Sequence, residues 1–428
     1  MNRKFQVPGS KFKVSGYGFN VPGSWFKVSG SKFKAVLTSL LLIVSLSSGA
    51  LAQVAVRGET IYTMDGRAIK DGVVLTNNGK IEAVGPASSV RIPSGYKVVT
   101  AKVVTPGLID AHTVIGLAGY MNQPHDQMQV EESSPIQPEL RAIDAYNAGE
   151  ELIKWVRSLG VTTIHTGHAP AALISGQTMI AKTVGDNVDE ATVRPLAMIA
   201  VTIGQGAMNS GGKPPGTSAK QAAMLREILI KASSYGKKED APRDLKLEML
   251  KKVIDKEIPL LVTAHTSRDI MTALRIADEF GIDIVLDGAS EAHMVLDEIK
   301  ASGFPVILHP TMYRAGGETE NLSMATAKKL RDAGIPFALQ SGYETYVPKT
   351  RVVLFEAGAL VAYGLTFEQA LATITIDAAK ILGMDSKIGS IKVGKDADLA
   401  MYDGDPFEYA THCTGTMING VMVSEITR

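Results

Sequence analysis

Residues 103–112 read VVTPGLIDAH, an apolar run interrupted by a Pro-Gly pair and closing on a histidine. A short apolar run bounded by turn residues is the pattern of a strand buried on both faces, as in a parallel sheet. Six more runs of this kind follow: GVTTIHTG (160–167), LAMIAVTIG (196–204), IPLLVTAH (258–265), IDIVLDGA (282–289), FPVILHP (304–310) and IPFALQSG (335–342). Between them lie stretches of helical period such as LREILIKASSYGKK (225–238) and LKLEMLKKVIDKE (245–257). Strand and helix alternating over residues 105–385 predict an α/β fold, a (β/α)8 TIM-like barrel with its helices outside. An eighth strand is expected near residues 208–218, within the Gly/Pro-rich GAMNSGGKPPGTS.

Outside that middle the grammar changes. Residues 54–104 hold short alternating runs, VAVRGETIYTMDG, GVVLTNNGKIEAVG and YKVVTAKVVTPG, with NNGK at 77–80 as a hairpin signal. The same pattern returns in KIGSIKVGKDADLAMYDGDP (387–406) and TMINGVMVSE (416–425). The two ends, 53–104 and 386–428, are therefore expected to meet in a small composite β-sandwich domain.

Residues 1–52 read as a targeting segment. Lys32 and Lys34 precede AVLTSLLLIVSL (35–46), a run too short to span a bilayer, and Ala50-Leu51-Ala52 has the small-x-small form of a cleavage site. Export to a periplasm is expected, with cleavage after Ala52, before Gln53, and no membrane span in the mature chain. Upstream, KFQVPGS, KFKVSGYGF and NVPGSWFKVSG stutter in a low-complexity basic segment that cannot bury a core.

With 428 residues, 45% of them hydrophobic and 21% charged, the chain is long enough for one large barrel. Its formal net charge is zero, but seven Lys/Arg and no acid lie in residues 1–34, so the remainder is mildly acidic. That balance excludes a nucleic-acid footprint, which needs a basic face. The glycines between 204 and 216 are too irregular for a dinucleotide-binding loop and do not lead directly into a helix. Cys413, the only cysteine, has no internal disulfide partner and no nucleophile motif around it.

In a barrel the chemistry gathers at the C-terminal ends of the strands. The candidates there are His112 and Val114, His165 and His168, His265, Asp287, His309 and residues 341–343, ending in Tyr343. His293 reads as a helix residue, and His125 and His412 as loop residues. The loop at 116–133, with Tyr120, Asp126 and Glu132, is either a lid or a solvated connection.

PGLIDAHT (106–113) after a small β-region, together with GSIKVGKDADLAMYDGDP (389–406), resembles the amidohydrolase superfamily. SSPIQPELRAID (133–144), HTSRDI (265–270) and ITIDAAKILGM (374–384) are similar to its imidazolonepropionase-like and dipeptidase-like branch. The resemblance implies hydrolysis of carbon–nitrogen bonds by a metal-activated water, with ligands from a His-x-His on the first strand, histidines on strands five and six, and an Asp on strand eight. His112 matches the first histidine, but Val114 holds the second position. His265 matches strand five, Asp287 stands where the strand-six histidine belongs, and Gly342 takes the place of the Asp.

Two expectations follow. In the first, His112, His265 and Asp287, with His165 as a replacement ligand, hold one divalent ion, most plausibly Zn2+. Asp287 or His168 then serves as the catalytic acid/base, with Glu344 or Asp126 as further proton carriers. Arg268 binds a substrate carboxylate, and Tyr343 and Val114 line a partly apolar pocket for a small molecule, an N-acyl amino acid or small dipeptide. In the second, the site is catalytically silent, and the chain binds ligands or partners an active relative in a hetero-oligomer; homo-oligomers also fit the fold.

Overall fold

The computed structural model describes residues 53–209, 211–236, 242–343 and 352–428. The reading of residues 1–52 as a signal segment, and Glu344 as a proton carrier, lie outside the described residues. Among the described residues no helix is long and apolar enough to cross a membrane.

Four strands open the chain, β1 (Val54–Ile61), β2 (Ile69–Asn77), β3 (Lys80–Pro86) and β4 (Lys97–Pro106). Asn78, at φ 49°, and Gly79 turn the β2–β3 hairpin, as the sequence predicts. After Gly107 the chain continues as β5 (Leu108–Thr113), β6 (Val161–Thr166), β7 (Ile174–Gln177), β8 (Met179–Lys182), β9 (Thr192–Arg194) and β10 (Ile199–Thr202). It proceeds through β11 (Leu260–Ala264), β12 (Ile284–Gly288), β13 (Val306–Leu308) and β14 (Phe337–Leu339), and closes with β15 (Leu399–Tyr402), β16 (Cys413–Ile418) and β17 (Val421–Ser424).

The two ends share one sheet of seven strands, ordered β17-β16-β15-β4-β1-β2-β3, in which β15 lies antiparallel to β4. Val56, Val74, Val104, Leu399 and Met417 fill its core.

All seven apolar runs of the middle form strands. Hydrogen bonding arranges them as a six-stranded sheet, β14-β13-β12-β11-β10-β7, and a four-stranded sheet, β5-β6-β8-β9, not as one ring. From β10 to β14 every neighbour is parallel, as are β5 and β6. One isolated parallel bridge, Thr113 with Gly342, links the two sheets at β5 and the segment after β14.

The strand expected at 208–218 is not there: the described residues of that stretch are loop, leading into the helix Ser218–Ser234. Its place beside β10 is taken by β7, which runs antiparallel to it, while β8, one residue further on, runs antiparallel to β6. A single bent segment thus serves both sheets. Glycines and prolines at 211–216 supply neither apolar alternation nor, at the prolines, ladder donors, so they cannot compete for that slot.

Both faces of the parallel strands are covered. Every residue of β11 and of β12 is buried, which is why their sequences read as continuous apolar runs. The helix Ser267–Phe280 shows how the outer layer is punctuated. Thr266 accepts from the Asp269 amide at its start (3.2 Å), Gly281 ends it in the left-handed conformation, and Ile270, Ala273, Leu274 and Ala277 face inward.

At the opposite end of the strands, Lys182 closes β8 and pairs with Asp398 and, at 3.4 Å, with Asp396 ahead of β15. Asp398 also accepts from the Asn419 amide (2.9 Å). This buried pair joins the middle of the chain to the two-ended sheet. Removing only the cation strands a buried carboxylate, so Lys182→Met is expected to lower stability by about 3–5 kcal/mol. The double change Lys182→Met/Asp398→Leu should recover most of that loss, as read by chemical denaturation of the three proteins.

Candidate functional site

His112 comes from the end of β5, where period-two alternation turns its ring inward; only 1% of it is exposed. Its Nδ1 donates to Asp287 Oδ1 at 2.9 Å. Asp287, in β12, is fully enclosed and accepts twice more: Gln340 Nε2 donates to Oδ1 (2.8 Å) and Thr263 Oγ1 to Oδ2 (2.6 Å). One carboxylate therefore ties together β5, β11, β12 and the residue after β14. Burial works against charge on both partners, but their mutual attraction and hydrogen bond outweigh it. His112 is held above its ordinary pKa and Asp287 below its own.

The second strand-end imidazole, His265, follows β11. Its Nδ1 is hydrogen-bonded to Ser290 Oγ and its Nε2 to the Tyr343 hydroxyl, both at 2.8 Å. The ring lies against Gly288, which has φ +73°; a Cβ there would come within 2.6 Å of His265 Cε1. Glycine is what allows the imidazole to rest on the β12 backbone.

A cavity of about 340 Å3 opens above these residues, lined by Thr263, His265, Tyr313, Arg314, Glu318 and Tyr343 among others. Tyr313 stacks on the His265 ring, with centroids 6.2 Å apart and planes 15° apart. The Gln205 amide donates to Glu318 Oε2 at 2.7 Å. A larger cleft, about 540 Å3, is lined by Phe355, Phe407 and Tyr409 among others and holds none of the strand-end imidazoles. Volume alone does not mark the site; convergence of polar side chains does.

The remaining sequence candidates fall elsewhere. His165 Nδ1 donates to the Ala111 carbonyl (2.7 Å), which leaves Nε2 to accept from the Thr178 hydroxyl (2.6 Å). With both nitrogens engaged, His165 has no lone pair to offer a metal ion, contrary to the expectation that it replaces a lost ligand. His168 is buried with no hydrogen-bond partner on either ring nitrogen, and it does not line the cavity. Val114 is buried in a small apolar cluster with Ala118, Ala169 and a partly buried Tyr343, so it backs the pocket without lining it. Arg268, expected to bind a carboxylate, lies on the first turn of the helix after His265 with its side chain 69% exposed, paired with Asp269 and absent from the cavity wall.

Asp287, expected as a base in contact with substrate, is sealed behind Thr263 and His112. His309 Nδ1 donates to the Pro310 carbonyl. His293 sits in the single 3-10 turn Ala292–Met294, ahead of the helix Leu296–Ser302. His125 and Asp126 line a different cleft, of about 460 Å3. Arg314, Glu318 and Tyr313 are the cavity residues that the sequence reading passed over. Their signal was position: TMYRAGGETE (311–320) directly follows a strand end.

Beneath the cavity, Asp110 is buried and takes hydrogen bonds from the Ser341 amide (3.0 Å) and hydroxyl (2.5 Å). Burial pushes its carboxyl up to about 7 against those two bonds.

The divalent ion implied by the resemblance was tested against these atoms. Zinc needs three or more donors with free lone pairs converging on one point. Among the described residues no group of three or more His, Cys, Asp or Glu side chains is so placed. Of His112, His165, His265 and Asp287, only His112 Nε2 has no partner of its own. The donor set does not fit the ion.

The family model described as "Amidohydrolase family" matches residues 139–424. The chain belongs to the amidohydrolase family, whose members are metal-dependent hydrolases of carbon–nitrogen bonds. It is similar to an imidazolonepropionase from Sphingopyxis alaskensis, 24% identical over 383 residues, spanning 79% of this chain and 88% of that one. It also resembles Amidohydrolase tasK from Hapsidospora irregularis, 25% identical over 375 residues; the match takes in 78% of this chain but only 38% of that longer protein. A solved amidohydrolase from Thermotoga maritima MSB8 superposes with a TM-score of 0.82 at 29% identity, covering 87% of this chain and all of that one.

Burial lowers His165 to about 3, with the nearby charge on His112 acting in the same direction and the Ala111 carbonyl opposing. Because the folded value lies below the unfolded one, this histidine's contribution to stability is complete above about pH 6.5 and is lost as pH falls from there toward 3, by up to about 1.4 kcal/mol per pH unit. Stability measured between pH 7 and 4 should therefore fall less steeply in His165→Gln than in the parent chain.

Proposed function

We propose that this chain hydrolyses a carbon–nitrogen bond in a small polar molecule held in the 340 Å3 cavity, with N-acyl amino acids and small dipeptides as the substrate class to test. One observation carries the reading: a strand-end imidazole matching the family motif, His265, reaches the cavity wall together with the hydroxyl of Tyr343. Family membership and the relative named imidazolonepropionase support it.

Each wall residue has a definite chemical use. Tyr343, held in place by His265, is the wall hydroxyl suited to polarising a carbonyl oxygen. Arg314, exposed at the rim, supplies the cation that the sequence reading sought in Arg268. Glu318 supplies an anion facing an amino group. Behind them His112 and Asp287 act as positioning residues, holding Thr263 in the wall through its hydrogen bond to the carboxylate.

A second reading, a ligand-binding member of the fold without turnover, is favoured by one specific observation: of the acid/base candidates, Asp287 is sealed against His112 and His168 does not line the cavity. Both readings meet in one assay. The mature chain is given a panel of N-acyl amino acids and dipeptides, and turnover and calorimetric binding are followed side by side. Hydrolysis should fall by about 10²–10⁴-fold in His265→Ala, the usual cost of removing a positioned polar catalytic group. Arg314→Ala should raise KM more than it lowers kcat. Binding without turnover, abolished by the same two changes, would establish the second reading; no binding at all would sink both.

A further inference from the structure

We infer that the mouth of this chain works without a resident divalent ion, hydrogen bonds among the former ligand positions having taken over the ion's place. Three features of the geometry support this.

The first is the commitment of lone pairs. A metal ligand must present a free one, and four candidate residues present a single unpartnered nitrogen, His112 Nε2, between them. His265 spends one nitrogen on Ser290 and the other on Tyr343, and His165 is closed by Ala111 and Thr178. Asp287 already accepts from His112 and Gln340 on Oδ1 and from Thr263 on Oδ2, three of its roughly four lone-pair sites. Opening this set to an ion would break several buried hydrogen bonds and leave their other halves unsatisfied.

The second feature is that two lost positions have been rebuilt, not merely emptied. Val114 is packed with Ala118 and Ala169 under Tyr343, so the space of a second imidazole is filled with hydrocarbon. Gly342 stands at φ +92°, and a Cβ there would approach Pro310 Cγ to 3.1 Å. An aspartate at 342 would meet backbone strain and a tight contact together.

The third feature is a substitute for what the ion does mechanically. A metal centre in a barrel cross-links strand ends; here Asp287 does so, joining β5, β11, β12 and the residue following β14 through three hydrogen bonds.

This inference does not depend on the proposed hydrolysis, and one experiment separates the two. The mature chain is produced in zinc-supplemented medium and desalted. Its metal content is then measured by elemental analysis, and its Tm and turnover are followed with and without chelator and with added zinc. The expected result is below about 0.1 equivalent of any transition metal, with Tm changing by no more than about 1 °C under chelator or zinc, because an ion that binds only the native state must raise Tm. About one equivalent that survives desalting, with a Tm that falls by several degrees on chelation, would overturn the inference whatever the turnover. Metal-free protein that hydrolyses substrate upholds both proposals, whereas metal-free protein that binds without turnover upholds this one and removes the hydrolysis. As a second measurement, Val114→His is expected to remain metal-free. If that one change confers a full equivalent of zinc, the remaining positions still open to an ion and the claim that hydrogen bonds have taken over its place is wrong.

Discussion

A carboxylate with no exposed surface governs the centre of this molecule. Burying an unpaired charge costs several kcal/mol, so Asp287 is tolerable only because three donors reach it from three other parts of the strand array. That requirement fixes the ring of His112, points Thr263 inward at its hydroxyl and holds the Gln340 amide against the β13 carbonyl of Ile307 as well. The spacing of β5, β11, β12 and β14 at this end is thus set by one acceptor group. Side chains that other arrangements would leave free to meet a ligand are here part of the scaffold.

Two layers result. The inner one, His112, His165, Asp110 and Asp287, is buried and, apart from His112 Nε2, partnered within the chain, and belongs to the structure of the strand ends. The outer layer of His265, Tyr313, Tyr343, Arg314 and Glu318 borders the cavity. Thr263 and His265 connect them: Thr263 touches both the cavity and Asp287, and His265 rests on the β12 backbone while its Nε2 reaches Tyr343.

Much of the fold was readable because burial on both faces leaves a continuous apolar signature, and all seven runs so marked are strands. Residues 174–182, ISGQTMIAK, were not recognised. Their antiparallel course depends on which neighbours they meet, and local pattern does not encode direction. His112, His265 and Asp287 were legible because strand ends in this architecture point at one place. Arg268 was misplaced because it is close in sequence to His265, yet four residues beyond the strand end a helix has already turned it outward. Arg314 and Glu318 sit in a loop with no period to reveal them. Which nitrogen of which imidazole is already engaged is a property of three-dimensional neighbours such as Ser290 and Tyr343, and no motif carries it.

The seven-stranded sheet has one further consequence, for the order in which the chain is made. Strand β4 pairs with β1 on one side, but its other neighbour, β15, begins only at Leu399. Until residues 399–402 have emerged, the outer edge of β4 carries a row of unsatisfied amides and carbonyls, a template for pairing with another nascent chain. A nascent chain from which residues 399–402 have not yet emerged presents that open edge, and the vulnerability is removed only when β15 pairs with β4.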